Sequence, residues 1–208
     1  MSKHVYHHYV PRFYLKKWTT NNCLTRFQWV RGKFEVRQVS TARIAGQDHL
    51  YALRNERKDP QFFERELMGP RIDDPAAQVY QHLINKAPLT ETQRIIWIRF
   101  LMSLRVRTPD MIDLIRLNAE SELRRQLMDQ SKEYDSMRGS DDPGNLYEWI
   151  EFHQPGFVAD FGIRILPDIL NHKPTVKKIF QMYWWTQHFD EATVDLLISD
   201  RPLSVTGK

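Results

Sequence analysis

The sequence of 208 residues predicts an α+β fold, with a mainly helical body between a short N-terminal β-hairpin and C-terminal antiparallel strands. Three observations predict it. Residues 23–39 alternate between apolar and polar side chains around a glycine-containing turn, which is typical of a hairpin. Residues 73–128 carry helix-start signals and apolar side chains at helical spacing. Residues 176–198 return to large side chains that favour strands.

The N-terminal elements follow from the alternation. Residues 23–30 and 34–39 form the two predicted strands of the hairpin, and Arg26 and Arg37 lie on its polar face. Residues 48–53 add a third short strand. The basic first part of the chain is therefore predicted to be a small sheet.

The helical body begins near residue 59, where the period of the apolar side chains changes. A capping box at 90–93 opens a helix that is apolar almost all round, and such a helix is central in its domain. The mixed-charge stretch 129–145 is predicted to be a disordered loop. The predicted helical segments are 60–68, ending before Gly69-Pro70, then 73–85, 95–104, 109–128, 146–152 and 157–171.

The last part of the chain predicts strands at 176–185 and 193–198, separated by a turn at 187–191. We expect a single α+β domain over 1–208. Its parts are a basic β region at 1–58, a helical body at 59–172 and C-terminal strands at 176–202.

The charge of the chain is unevenly distributed. The net charge is +4, but residues 1–58 hold 12 Lys and Arg against 3 acidic residues, a local charge of +9. The remaining residues therefore carry −5. A basic segment indicates an anionic partner, and nucleic acid is the first candidate. The alternative is that these cations serve solubility alone.

Composition and motifs exclude several classes. One cysteine rules out an internal disulfide, and no apolar run is long enough to span a membrane, so we expect a cytoplasmic protein. There is no phosphate-binding loop, no Gly-x-Gly-x-x-Gly, no Gly-x-Ser-x-Gly and no His-Glu-x-x-His. Nucleotide-triphosphate hydrolases, dinucleotide enzymes and common serine hydrolases are thereby set aside.

The segment 7–15, His-His-Tyr-Val-Pro-Arg-Phe-Tyr-Leu, concentrates groups that could do chemistry. His7 or His8 could act as a general base or metal ligand, and Arg12 could bind a phosphate, with Tyr14 as a further binding candidate. On an extended segment the two histidines face opposite ways. The alternative is that both rings form hydrogen bonds that hold the N-terminal strand in place.

Three pieces of the chain together resemble the bacterial domain-of-unknown-function family 4238. They are the segment 7–15, Arg107-Thr108-Pro109 and Ser199-Asp200-Arg201-Pro202. The resemblance spans nearly the whole chain and implies no activity. Members of that family usually continue well past the Ser-Asp-x-Pro element, so the resemblance implies a fragment or a short member.

Two hypotheses from different classes follow. The first is a nuclease-like phosphodiesterase, with a divalent cation such as Mg²⁺ as its possible cofactor. The second is a non-catalytic module that binds nucleic acid or another acidic partner, with a structural N-terminal motif. The enzyme hypothesis requires His8, Arg12, Arg107 and Asp200 to converge on one solvent-open pocket. The candidate catalytic residues are His8, His7, Glu64 and Asp200, and the candidate binding residues are Arg12, Tyr14, Arg107 and Arg201.

Overall fold

The computed structural model describes residues 5–53, 61–187, 189 and 193–204. Helices predominate, and the strands form two small antiparallel sheets, so the predicted α+β class is confirmed. The boundary predicted at 58/59 lies outside the described residues, and the assignment to a single domain stays a prediction. The elements are β1 (Tyr6–His8), α1 (Arg12–Leu15), β2 (Cys23–Val30), β3 (Lys33–Ser40), β4 (Gly46–Asp48), a π-helix (Glu64–Asp73), α2 (Asp74–Ile84), α3 (Glu91–Val106), α4 (Pro109–Asp129), α5 (Ser131–Met137), α6 (Leu146–His153), α7 (Phe157–Arg164), α8 (Leu166–Leu170) and α9 (Lys173–Phe180).

The hairpin forms as predicted. Strands β2 and β3 pair along their whole length, from Cys23 opposite Ser40 to Val30 opposite Lys33. Arg31 and Gly32 make the turn with φ of 50° and 78°, the left-handed geometry that matches the twist of a two-residue hairpin. The third strand, predicted at 48–53, forms earlier in the chain. It is β4, which pairs with β1, and the chain turns away after it.

The capping box that opens α3 is present. The Thr90 side chain accepts a hydrogen bond from the Gln93 backbone N–H, and the Gln93 side chain accepts one from the Thr90 N–H. The next helix also begins where predicted, with Thr108 preceding Pro109 at the first turn of α4. Because α3 buries Ile98 and other apolar side chains, it lies at the centre of the main hydrophobic cluster.

The helical prediction fails in two places. Gly69-Pro70 does not end a helix, because the π-helix Glu64–Asp73 continues through both residues and runs directly into α2. The stretch 129–145, predicted as a loop, contains the short helix α5, stabilised by surface pairs such as Arg138–Asp135. Local composition misled both predictions, since neither Pro nor a mixed-charge run excludes a helix turn that tertiary contacts support.

The predicted C-terminal strands are wrong within the described residues. Residues 173–180 form α9, and no strand is present in 182–187 or 193–204. Part of the turn predicted at 187–191 lies outside the described residues. The segment after α9 is held to α3 by Arg94, whose guanidinium lies 4.4 Å from the Trp184 ring centre and donates to the Met182 carbonyl. Trp184 also packs against the main hydrophobic cluster, so side-chain contacts hold this segment where strand pairing was expected.

Two hydrophobic clusters support the N-terminal motif. Val10 and Leu15 pack in the smaller cluster beneath the hairpin, with Leu24 and Ala45. Phe13 packs against the main cluster, on Phe100 of α3. Searching the described residues for a helix long and apolar enough to cross a membrane finds none.

Candidate functional site

The strand β1 determines where the two histidines point. Its antiparallel pairing with β4 places His7 opposite Gln47 and His8 opposite Gly46. Successive side chains of a strand face opposite sides, so His7 is buried, with 1% of its surface exposed, and His8 is partly exposed. The predicted separation of the two imidazoles is confirmed.

His7 is part of a buried hydrogen-bonded chain. Its Nδ1 accepts a hydrogen bond of 3.0 Å from the Tyr51 backbone N–H, and the two rings stack with centres 5.2 Å apart. The Tyr51 hydroxyl donates to the Arg107 carbonyl at 3.3 Å. Burial raises the pKa of Tyr51, so its phenol stays protonated. These contacts join β1 to the end of α3 and indicate a structural role for His7.

Arg107 lies at the other end of this chain and has no exposed surface. Its two terminal nitrogens donate to the Asp73 carboxylate at 3.1 and 3.0 Å, a bidentate pair. The guanidinium also lies 5.8 Å from the ring centre of Phe100. A phosphate could therefore reach Arg107 only by displacing Asp73, and the pair joins the π-helix to α3.

Glu64 is the first residue of the π-helix, and its carboxyl has an unusual environment. One of its carboxylate oxygens, Oε2, is buried, and no described group forms a hydrogen bond with it. Burial, together with the nearby Asp73 charge, raises the pKa of Glu64 to about 7, although Arg107 opposes this. A carboxyl with such a pKa can both give and take a proton at neutral pH.

His8 lies on the partly exposed side of β1. Its Nε2 is 3.2 Å from the Thr41 carbonyl, just beyond the end of the hairpin. Burial lowers the pKa of His8, the hydrogen bond to the Thr41 carbonyl opposes this, and the Arg12 charge adds to the lowering, so the neutral imidazole is favoured. Asp73 is hydrogen-bonded to Arg107, and its charge raises the pKa of Glu64; it also acts on His8, as the smallest of the influences on that imidazole.

The two binding candidates of α1 differ in exposure. Arg12 is exposed. Tyr14 is partly buried, its ring 5.3 Å from that of Tyr80 and 5.9 Å from that of Phe100, and burial raises its pKa. Tyr14 therefore packs against the helical body, whereas Arg12 remains open to a ligand.

Asp200 and Arg201 line a pocket together with Tyr9 and residues 108–110. Arg201 is ion-paired to Asp110 at 3.1 Å, and its backbone N–H donates to the Ser199 hydroxyl. Burial raises the pKa of Tyr9, and the Asp200 charge adds to this. In this described pocket neither His8, Arg12 nor Arg107 takes part, so the four residues that the enzyme hypothesis requires do not converge there.

A metal site would need several ligands in one place. Within 5–53, 61–187, 189 and 193–204, no three His, Cys, Asp or Glu side chains are arranged so that they could hold an ion. The expected Mg²⁺ stays a prediction, as do the catalytic roles of His7, His8, Glu64 and Asp200.

Sequence reasoning missed Asp73, the residue on which the cluster centres. Asp73 begins the predicted helical segment 73–85, two residues before Pro75, where an aspartate ordinarily serves as a helix cap. Its partner Arg107 lies 34 residues away, at a separation that no local pattern reports. A buried arginine after an apolar helix signals that an acid must pair with it, but does not identify the acid.

Comparison with known proteins gives one match. A family model described as "Protein of unknown function (DUF4238)" covers residues 6–208, essentially the whole chain. No curated protein and no solved structure matches.

Proposed function

The chain belongs to the family described as Protein of unknown function (DUF4238), and we propose that it is a non-catalytic module that binds nucleic acid. The observation that carries this proposal is the exposure of its N-terminal cations. Residues 5–53 contain eight Lys and Arg against two acidic residues, and seven of the eight cations are exposed. Such a surface attracts phosphate backbones by releasing their counterions.

The internal contacts of the N-terminal motif support a structural rather than catalytic role. His7 is buried against Tyr51, Tyr14 packs on aromatic rings, and Arg107 is neutralised by Asp73. Groups that are already hydrogen-bonded inside a protein cannot meet a substrate without rearrangement. The motif therefore positions the basic segment on the helical body, and the cations around it carry the binding.

Fluorescence anisotropy with labelled single-stranded and duplex oligonucleotides tests this function. We expect binding that weakens at least about tenfold between about 50 and about 200 mM salt, without cleavage of the probe. Replacing Lys16 and Lys17 by Gln should weaken binding. The matched change of Lys177 and Lys178 in α9, also exposed, should not. No binding to either probe at low salt would refute the proposal.

A second candidate is hydrolysis of a phosphodiester, and Glu64 favours it. A carboxyl with a pKa near 7 can donate and accept a proton at neutral pH, and the exposed Arg12 could bind phosphate. Purified protein with DNA or RNA and Mg²⁺ or Mn²⁺ tests this. Cleavage that is abolished by Glu64→Gln and by His8→Ala would favour the enzyme over the module. Cleavage unchanged by both, or no cleavage, would remove this candidate.

A further inference from the structure

The hairpin carries an aromatic surface whose side chains are half or more exposed. Because β2 and β3 pair with Phe27 opposite Val36 and Trp29 opposite Phe34, these four side chains lie on one face. Their exposed fractions are 50% for Phe27, 70% for Trp29, 55% for Phe34 and 54% for Val36. We call this set the hairpin aromatic face.

The rings of this face are continuous. Phe34 lies between the other two, with its ring centre 6.2 Å from that of Phe27 in a stacked arrangement and 5.5 Å from that of Trp29. The base of the hairpin is anchored where Leu24 and Val39 pack in the smaller cluster. Large apolar side chains that a fold leaves in water on one face indicate a binding surface.

The charge of the hairpin indicates the chemistry of the partner. The hairpin contains four cations, Arg26, Arg31, Lys33 and Arg37, against one carboxylate, Glu35. Arg31 lies in the turn, and the other three cations and Glu35 alternate onto the face opposite the rings. Among the described contacts Glu35 pairs with Arg37 at 2.9 Å, and neither Arg31 nor Lys33 at the tip has an acidic partner. Unpaired cations at the tip of a hairpin that also exposes rings suit a ligand that offers both negative charge and flat aromatic groups.

We propose that the hairpin aromatic face is a stacking platform for single-stranded nucleic acid, with Arg31 and Lys33 at the tip contacting its phosphates where the strand passes the end of the hairpin. This inference rests on the proposed function and names its binding surface. A single strand exposes base faces that a duplex hides, and aromatic side chains bind those faces with little regard to sequence. Phe27 and Trp29 are two residues apart, about 7 Å along a strand, which suits two or three stacked bases.

The test is anisotropy with a labelled oligothymidine and a duplex of the same length. The wild type should bind the single strand at least about tenfold more tightly than the duplex. Replacing Trp29 and Phe34 together by Ala should weaken single-strand binding at least about tenfold, because both stacking groups are lost. Their exposure means that the fold should survive, which circular dichroism and thermal unfolding will check.

The chain offers a matched control. Tyr183 and Trp185 are also exposed and stacked, with ring centres 6.3 Å apart, but lie after α9. Their joint replacement by Ala removes the same kinds of group and should leave binding unchanged. Replacing Arg31 and Lys33 by Gln should weaken binding and reduce its salt dependence.

The outcomes separate the inference from the proposed function. Salt-sensitive binding that the Trp29→Ala and Phe34→Ala changes leave intact would overturn the platform while the nucleic-acid module stands. Equal binding of duplex and single strand would also overturn the platform. Absence of binding to both probes would overturn the proposed function itself.

Discussion

Replacing Glu64 by glutamine should stabilise the protein at alkaline pH and leave its stability almost unchanged at acidic pH. The folded chain raises the pKa of Glu64 from 4.5 to about 7, because the carboxyl is buried and lies near Asp73. The folded state therefore holds a proton that the unfolded state releases above about pH 4.5. The free energy of unfolding must therefore fall as pH rises from about 4.5 to about 7. Above that range the full cost of ionising the buried Glu64 carboxyl is present.

The magnitude follows from the two pKa values. At about 1.4 kcal/mol per pKa unit, the difference between 4.5 and about 7 sets an upper limit of about 3 kcal/mol. Glu64 keeps some contact with water, which screens its charge, so we expect about 2 kcal/mol. Glutamine has nearly the same shape as the protonated acid and carries no charge at any pH.

Urea unfolding followed by tryptophan fluorescence at several pH values between about 5 and about 9 measures this difference. Glu66 is a matched control, since it lies in the same π-helix but is exposed and paired with Arg65. Glu66→Gln should change stability by less than about 1 kcal/mol at every pH. A Glu64→Gln effect that does not grow between pH 5 and 9, or a variant less stable than wild type at pH 9, would refute the reasoning.

Two further predictions concern packing. Asp73→Asn should destabilise the fold by about 3–5 kcal/mol, because it leaves the Arg107 charge buried without its partner. Thermal and urea unfolding will measure this loss. A loss below about 1 kcal/mol would mean that the pair is not desolvated. Gly162→Ala should lower the stability by about 1–3 kcal/mol, because the added methyl would lie 2.7 Å from the Arg116 Cα of α4. Gly144→Ala is the control and should not lower it, since the nearest atom to its added methyl is 3.6 Å away. Equal melting temperatures for these two glycine variants would contradict the close packing of α7 on α4.

Local signals predicted the elements that local interactions make. The capping box at Thr90 and Gln93 and the hairpin around Gly32 depend on residues a few positions apart, and both formed as expected. The C-terminal strands were mispredicted because large aromatic side chains favour strands only when a partner strand is available. Here residues 173–180 instead formed α9, which packs on α3.

The candidate site was predicted only in part, for the same reason. Histidines at 7 and 8 separate by the alternation of a strand, which the sequence shows directly. The meeting of Glu64, Asp73 and Arg107 depends on how two helices pack, and no spacing encodes it. The apolar alternation of the hairpin predicted two faces, but not that Trp29 and Phe34 would remain in water.

The contacts of β1 also determine when, during synthesis, this strand can reach its folded position. This strand is synthesised before α3, yet its hydrogen-bonded chain through His7 and Tyr51 ends at Arg107 at the end of that helix. The intervening hundred residues take about 5–20 s to translate at rates of about 5–20 residues per second. Throughout that interval the nascent β1 and hairpin lack the helix that the hydrogen-bonded chain reaches. The burial of His7 against its final partners therefore waits for the synthesis of α3.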